Sequence, residues 1–121
     1  MTNLNREPIL IKTDTYILKE THIDTQGDTV WEIKDPKNNN IFFIHSSPLG
    51  QLYINFFKGN YISTNCSLNA IKKLCEILLS RQLHPTIKIY YTNESLIRLC
   101  CSVGFRKNKK VKHQYYLKNL K

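Results

Sequence analysis

The strongest constraint on the fold is a change in hydrophobic period near residue 60. Before this point, apolar and polar residues alternate in short runs separated by turn formers, a pattern typical of half-buried β-strands. The predicted strands cover residues 15–20, 29–34, 41–45 and 51–57. Because the segments between them are short and rich in turn formers, these strands are expected to form an antiparallel meander.

Beyond residue 60, apolar residues recur every three or four positions, as they do along one face of an amphipathic helix. The repeating residues are Leu68, Ile71, Leu74, Cys75, Leu78 and Leu79. Asn65 or Ser67 is the predicted cap of this helix, and His84-Pro85 is its predicted stop. Residues 86–91 then alternate again, which predicts another strand.

A second, shorter helix is predicted after Asn93, because asparagine is a favoured N-cap. Its buried side is expected to consist of Leu96, Ile97, Leu99, Cys100 and Val103. Gly104 is expected to end it, since glycine readily adopts the conformation that closes a helix. A last strand is predicted to place four side chains on one face: Val111, His113, Tyr115 and Leu117.

The order of elements predicts the fold class. Crossovers from strand through helix to strand favour parallel or mixed pairing within one sheet, with the helices packed across it. The chain is therefore predicted to be an α+β protein with a mixed sheet, in which the meander precedes helix, strand, helix and strand. Its 121 residues fit one domain over 1–121, and residues 1–8 are compatible with a flexible tail.

Charge is distributed unevenly within a net charge of +9. Residues 1–50 carry five basic and seven acidic side chains, whereas residues 51–121 carry thirteen basic and two acidic ones. This asymmetry predicts an acidic partner for the second half, either a protein or a nucleic acid. A solvated, lysine-rich surface without a partner is the alternative interpretation.

Other classes of site and location find little support in the sequence. The four cysteines and four histidines lack the paired spacing of a zinc site, so free thiols and no metal are expected. The chain has neither a signal-peptide pattern nor a long apolar run, which predicts a cytoplasmic location without a membrane partner. His45-Ser46-Ser47 follows a strand, but no acid that could orient the histidine stands nearby in the sequence.

The stretch from Asn93 to Phe105 adds a more specific indication. It reads Asn, two residues, Leu96, two residues, Leu99-Cys100, three residues and Gly104-Phe105. Together with the order of strands and helices, this spacing resembles the carboxyl-terminal half of the GNAT superfamily of acyl-CoA-dependent N-acyltransferases, over about residues 50–118. The resemblance implies acetyl-CoA or another acyl-CoA as cofactor and an amine as acceptor.

The resemblance also implies roles for individual residues. Asn93 stands at the position that contacts the pantetheine arm in the family. Ser63, Thr64 and Ser67 stand where the family binds pyrophosphate; this segment lacks the usual glycines, but a helix start with hydroxyl donors still attracts anions. Cys100 replaces the tyrosine that protonates the leaving thiolate, and its thiol could supply a proton or simply pack in the core.

Two functions follow from these observations. The first is a small GNAT-like N-acyltransferase that transfers its acyl group directly to an amine. In it the helices of the family's first half are reduced or absent, because residues 21–28 leave no room for them. The second is a non-catalytic interaction protein that binds an acidic protein or nucleic acid through Arg106, Lys107, Lys109, Lys110 and Lys112. An exposed strand edge at residues 41–45 could also pair with a second copy as a homodimer.

Overall fold

The computed structural model describes residues 7–56 and 64–117. The strands are Leu10–Lys12 (β1), Ile17–Ile23 (β2), Thr29–Lys34 (β3), Asn40–Ser46 (β4), Gln51–Phe56 (β5), Thr86–Lys88 (β6), Phe105–Lys107 (β7) and Gln114–Leu117 (β8). The helices are Thr64–Ser80 (α1) and Glu94–Val103 (α2). The predicted α+β class with a mixed sheet is confirmed, and residues 7–56 contain no helix.

All eight strands form one sheet in the order β1-β2-β3-β4-β5-β6-β8-β7. The first five follow the chain and pair antiparallel, which is the predicted meander. The pair β5–β6 is parallel, and the remaining pairs are antiparallel. The chain leaves β5, passes through α1 and returns as β6, which lies parallel to β5. This is the strand–helix–strand crossover that the sequence predicted.

One hydrophobic core joins the sheet to both helices. In β4 the side chains of Phe42, Ile44 and Ser46 are buried, whereas those between them are more accessible. The alternation means that β4 turns one face toward α1 and α2 and the other face, which includes His45, away from them. Trp31 of β3 donates its indole N–H to the Ser46 hydroxyl at 2.9 Å, which satisfies both groups inside the core.

Two short strands, β1 and β7, were not predicted. Each has three residues, and three residues cannot display a period of two convincingly. The last strand is shorter than predicted, because it begins at Gln114. Val111 is exposed and His113 has a φ of 65°, so the alternation predicted for this segment is broken by a turn.

The boundaries of α1 differ from the prediction at both ends. The helix begins at Thr64, so Asn65 and Ser67 lie inside its first turn rather than at its cap. It ends at Ser80, before the predicted stop, because Gln82 adopts a left-handed conformation with a φ of 64°. By contrast, α2 has its predicted limits, from the Asn93 cap to the closing glycine.

The edge proposed for pairing with a second copy is not available. Residues 41–45 belong to β4, which is paired with β3 on one side and with β5 on the other. Within the described residues, the edges of the sheet are β1 and β7. A homodimer remains a prediction, but it cannot form through β4.

No helix in the described part of the chain is long and apolar enough to span a membrane.

Candidate functional site

The sheet opens between β5 and β6. These strands are in register only at Gln51–Thr86 and Leu52–Ile87. β6 then ends at Lys88, and the next N–H group, that of Ile89, faces the β8 side and donates to the His113 carbonyl at 2.8 Å. Beyond Leu52, therefore, no described strand pairs with this side of β5.

Gly50 allows the same two strands to meet closely at their other end. Its carbonyl accepts a hydrogen bond from the Thr86 N–H at 3.2 Å. Its φ is 96°, and a Cβ atom built on it would lie 2.8 Å from the carbonyl oxygen of His84. Only glycine fits such an approach without strain. The strands consequently touch at the base and separate above it.

A cavity of about 360 Å³ lies in the resulting cleft. Its walls come from both strands and from the start of α2: Leu52, Tyr53, Ile54, Ile87, Lys88, Ile89, Tyr90, Thr92, Asn93 and Leu96. Leu52 and Ile87 are buried, whereas Tyr53 and Lys88 are exposed. The cleft therefore combines an apolar interior with a polar mouth, the usual character of a small-molecule site.

Asn93 lines this cavity and caps α2 at the same time. Its side-chain oxygen accepts a hydrogen bond from the Leu96 N–H at 3.3 Å. The amide nitrogen makes no hydrogen bond within the described residues, and the residue is exposed. The capping hydrogen bond thus uses the side-chain oxygen of Asn93, and the N–H donors of the same amide stay available to a ligand. A contact between Asn93 and the pantetheine arm stays a prediction.

Cys100 lies away from the cavity, in the core. Its side chain is 0% exposed, and it is not among the residues that line the cleft. Burial raises the pKa of the Cys100 thiol to about 12, and the neighbouring Cys101 adds to the rise. The thiol is therefore protonated and enclosed, which favours a packing role. Its predicted role as a proton donor would need a path that this arrangement does not provide.

The predicted phosphate contacts are only partly within the described residues. Ser63 belongs to the segment 57–63, which lies outside them, and the same holds for the side chain of Thr64. Ser67 is in the first turn of α1, is 0% exposed, and its hydroxyl has no hydrogen-bond partner among the described residues. Neither Ser67 nor Cys100 joins Asn93 at the cleft.

A histidine and an aspartate that the sequence did not connect form a pair on the other face of the sheet. The His45 Nδ1 lies 3.1 Å from Oδ2 of Asp24, which is in the turn between β2 and β3. Oδ1 of Asp24 accepts the backbone N–H groups of Gln26 and Asp28 at 2.9 and 3.0 Å. We refer to His45 and Asp24 as the dyad.

The hydrogen bonds determine the charge of the dyad's carboxylate. Burial by itself would raise the pKa of Asp24, but hydrogen bonds from the backbone of Asp28 and Gln26 and from the His45 ring outweigh it, and the pKa is lowered. Asp24 is thus anionic at neutral pH. An anionic acceptor at Nδ1 favours the tautomer that carries its proton there, which leaves Nε2 as the acceptor.

A second cavity of about 420 Å³ lies beside the dyad. Its lining comprises Gln26, Asp28, His45, Ser47 and Tyr53. Tyr53 also lines the cleft, and it is the register partner of His45 across β4 and β5. The two cavities are thus neighbours that share one tyrosine. Alternation in β4 explains the face of His45, whereas the approach of Asp24 depends on strand register, which the sequence did not indicate.

Asp24, Asp28 and His45 also have the spacing of a candidate cation site. Ligand atoms of the three side chains lie within 4.8 Å of one another, and no other such group occurs in residues 7–56 and 64–117. However, both oxygens of Asp24 already accept hydrogen bonds from the protein. These hydrogen bonds account for the arrangement, so we do not identify the three residues as metal ligands.

The predicted basic surface is exposed as a group. It consists of Arg106 and Lys107 on β7 and Lys109, Lys110 and Lys112 in the following turn. A third cavity, of about 220 Å³, is lined by Lys107 and Lys112 together with Tyr91 and His113. The rings of Tyr91 and His113 are stacked, with centroids 6.1 Å apart and planes 17° apart.

The molecule thus offers a cleft between β5 and β6, the dyad in an adjoining cavity, and a basic surface with stacked rings. From the sequence, a ligand contact at Asn93 and the basic surface were expected, whereas the dyad was not. No family model, no curated protein and no solved structure matches the chain. Its function is therefore inferred from these three features and from the resemblance over Asn93–Phe105.

Proposed function

We propose that the protein is a small GNAT-like N-acyltransferase that binds an acyl-CoA and transfers the acyl group directly to an amine. The cleft between β5 and β6 carries the proposal. The resemblance over Asn93–Phe105 implies a cofactor contact at Asn93, and a cavity with Asn93 in its wall lies beside the cap of α2. The free thiols Cys75 and Cys100 fit the cytoplasm, a reducing compartment, as the place of the reaction.

The cleft suits an extended chain that contains amide groups. Past Leu52, the edge of β5 lacks a strand partner within the described residues, and an unpaired edge can hydrogen-bond an added extended segment. The pantetheine arm of CoA is such a segment, because it carries two amides separated by methylene groups. Ile54 and Ile89 provide apolar walls for the methylenes, and Asn93 provides an amide donor.

The cavity volume limits which part of the cofactor it can hold. About 360 Å³ accommodates the pantetheine arm but not the nucleotide as well, so the nucleotide would lie outside. The start of α1 is the proposed phosphate site, because the free N–H groups of a first turn attract anions. Of the three contacts predicted there, Ser63 and Thr64 would offer hydroxyls, whereas Ser67 is enclosed and is left out of the proposed phosphate site.

Direct transfer of the acyl group to an amine does not require a catalytic thiol. The amine nitrogen forms a bond to the thioester carbon, and the carbon–sulfur bond breaks. The main requirements are a positioned thioester and an uncharged amine. Cys100 can therefore remain a core residue in an active enzyme.

Calorimetric titration with acetyl-CoA and with CoA tests the proposal. Both ligands should bind the wild type, whereas Thr92→Trp should weaken binding by at least about tenfold, because the larger ring fills the mouth of the cleft. Thr25→Trp is the matched control, since Thr25 is an exposed turn residue outside the cleft. Absence of binding to the wild type at millimolar ligand would refute the proposal.

The basic surface favours a second candidate function, a non-catalytic protein that binds nucleic acid or an acidic protein. Here lysines lie beside two stacked rings. Proteins that bind single-stranded nucleic acids use such an arrangement, in which the cations contact the phosphates and the bases stack on the rings. Tyr91 is 75% exposed and so is accessible to a base. In this function the cleft would be a remnant of the scaffold.

Fluorescence anisotropy with a single-stranded oligonucleotide tests this second candidate. Changing Lys107, Lys109 and Lys110 together to Glu should weaken binding at low salt by at least about tenfold and reduce the salt slope by about 2, since each phosphate contact contributes about 0.7. The matched control changes three exposed lysines of the first half to Glu: Lys12, Lys19 and Lys37. Equal effects of the two triple variants would refute a specific role of the basic surface.

A further inference from the structure

We infer that His45 is the general base of the acyl transfer, that Asp24 is its positioning residue, and that the acceptor is a cationic primary amine bound in the second cavity. This inference rests on the proposed function, because it names the base and the acceptor class of the same reaction. It is carried by two geometric observations, the dyad itself and the position of Tyr53 between the two cavities.

The dyad is arranged as a base and its support. Asp24 is fixed by two backbone N–H groups and uses its other oxygen for His45 Nδ1, 3.1 Å away. The ring therefore has a defined orientation, and its Nε2 makes no hydrogen bond within the described residues. A general base needs an unoccupied lone pair of this kind, within reach of the proton that it removes.

The charged groups around the His45 ring favour binding of a cationic acceptor. The titratable groups that face His45 are Asp24 and Asp28 from the turn between β2 and β3, and Tyr53 from β5. Its neighbour on β3 is Val30, which carries no charge. Among the described residues, the cavity is lined by Asp28 and by no lysine or arginine. A carboxylate without a competing cation attracts an ammonium group and disfavours an acidic acceptor.

The position of Tyr53 connects the base to the thioester. His45 and Tyr53 are directly opposite each other on β4 and β5, where the Cβ atoms of such pairs are about 4.5–5.5 Å apart. Tyr53 lines the cleft proposed for the pantetheine arm and also the cavity of His45. An amine beside His45 is thus next to the mouth through which an acyl group would emerge.

The chemical step is balanced without a further reactant. The bound ammonium group first releases one proton to the solvent. The lone pair of the resulting neutral amine then forms a bond to the thioester carbonyl carbon, and the nitrogen gives a second proton to His45 Nε2. The tetrahedral adduct then collapses, the carbon–sulfur bond breaks, and its electron pair leaves on sulfur. The imidazolium returns the proton to the thiolate, so the products are the amide and CoA thiol, with His45 neutral again.

Steady-state release of CoA thiol from acetyl-CoA, with spermidine and with lysine amide as probe amines, tests the inference. We expect His45→Gln to lower kcat by about 100-fold or more, the usual contribution of a general base. Asp24→Asn should lower it by at least about tenfold, because it removes the anion that orients the ring. The matched control is His22→Gln, a histidine on β2 that is hydrogen-bonded to its neighbour Thr21 and should change kcat by less than about twofold.

Two further measurements distinguish catalysis from a structural role. Free imidazole should restore part of the activity of His45→Ala, which a purely structural histidine would not allow. Calorimetry should give the same acetyl-CoA affinity, within about twofold, for all of these variants.

The possible failures are distinguishable. Acetyl-CoA binding together with full turnover in His45→Gln would overturn the inference and leave the proposed function intact. The inference is also overturned if the wild type binds acetyl-CoA but releases no thiol with either amine, or if EDTA abolishes the rate and Zn²⁺ restores it. Absence of acetyl-CoA binding would overturn the proposed function, and this inference with it.

Discussion

The two sides of β5 are built in opposite ways. On one side, β5 pairs antiparallel with β4 over five register positions, from Ser46–Leu52 to Phe42–Phe56. On the other side, it pairs parallel with β6 over two positions and then separates from it. We call these the closed seam and the open seam. One strand thus contributes both to the continuous part of the sheet and to the wall of the proposed cleft.

The connections explain the difference. β4 and β5 are joined by a tight turn in which the Ser47 hydroxyl accepts the Gln51 N–H at 3.0 Å, so the register of the closed seam is determined locally. β5 and β6 are joined through α1, and a crossover of this kind determines their order but not how far they remain paired. A binding cleft can therefore arise where an antiparallel sheet meets its first parallel crossover.

The largest effect is expected at the base of the open seam. Gly50→Ala should lower the free energy of unfolding by about 3 kcal/mol or more, because it combines positive-φ strain with a Cβ 2.8 Å from the His84 carbonyl oxygen. Gly27→Ala is the matched control: its φ is 86° but nothing lies near the added atom, so about 1 kcal/mol is expected. Urea unfolding measures both. Equal losses would mean that close approach at Gly50 does not hold the seam together.

A smaller effect on stability is expected from Cys100 on α2, the helix whose start lines the cleft at the open seam. The pKa of the Cys100 thiol is raised by burial to about 12 in the folded protein, against about 8.5 in the unfolded chain. Its contribution to stability is therefore complete below pH 8.5 and is lost as the pH rises toward 12. Between pH 8 and pH 10.5, wild type should lose about 2 kcal/mol more stability than Cys100→Ala in urea unfolding.

Cys101 supplies the control for this experiment, because it is exposed on the same helix. Cys101→Ala should lose stability with pH as the wild type does. If Cys100→Ala also followed the wild type, the thiol would ionise without penalty in the fold. Cys100 would then be accessible enough for proton transfer, which would revive its predicted catalytic role.

The smallest effect separates the two roles of Asn93 at the rim of the open seam. Asn93→Ala removes the cap and should cost about 1 kcal/mol of stability. Asn93→Asp keeps the oxygen that accepts from Leu96 but removes the amide donors, so stability should change by less than about 0.5 kcal/mol. Its affinity for acetyl-CoA, measured by calorimetry, should nevertheless fall by about fivefold. Unchanged affinity would leave Asn93 as a cap alone.

Features that depend on short-range interactions were predicted more accurately than the others. The limits of α2 were predicted correctly because Asn93 and Gly104 act on groups within a few residues of themselves. The last strand was predicted too long, because Asn108 accepts hydrogen bonds from Lys110 and Val111 and forms a turn there. Alternating hydrophobicity does not reveal such side-chain bonds.

The candidate site was predictable to the same limited extent. The sequence indicated Asn93 and the basic surface, because a cap and a cluster of charges are visible in a single segment. It offered no reason to connect Asp24 with His45, which are separated by 21 residues and meet only through the register of β2, β3 and β4. It also could not show that Ser67 is enclosed, since enclosure depends on what packs over the helix.

The sequence by itself determined the types of element, their order and the α+β class, because hydrophobic periods, caps and turn formers act over a few neighbouring residues. Only the tertiary structure decided that the sheet opens beside β5, that the dyad forms, and that Tyr53 stands between the two cavities. These features depend on the register and divergence of strands far apart in the chain, which are set by packing of the whole core rather than by any one segment.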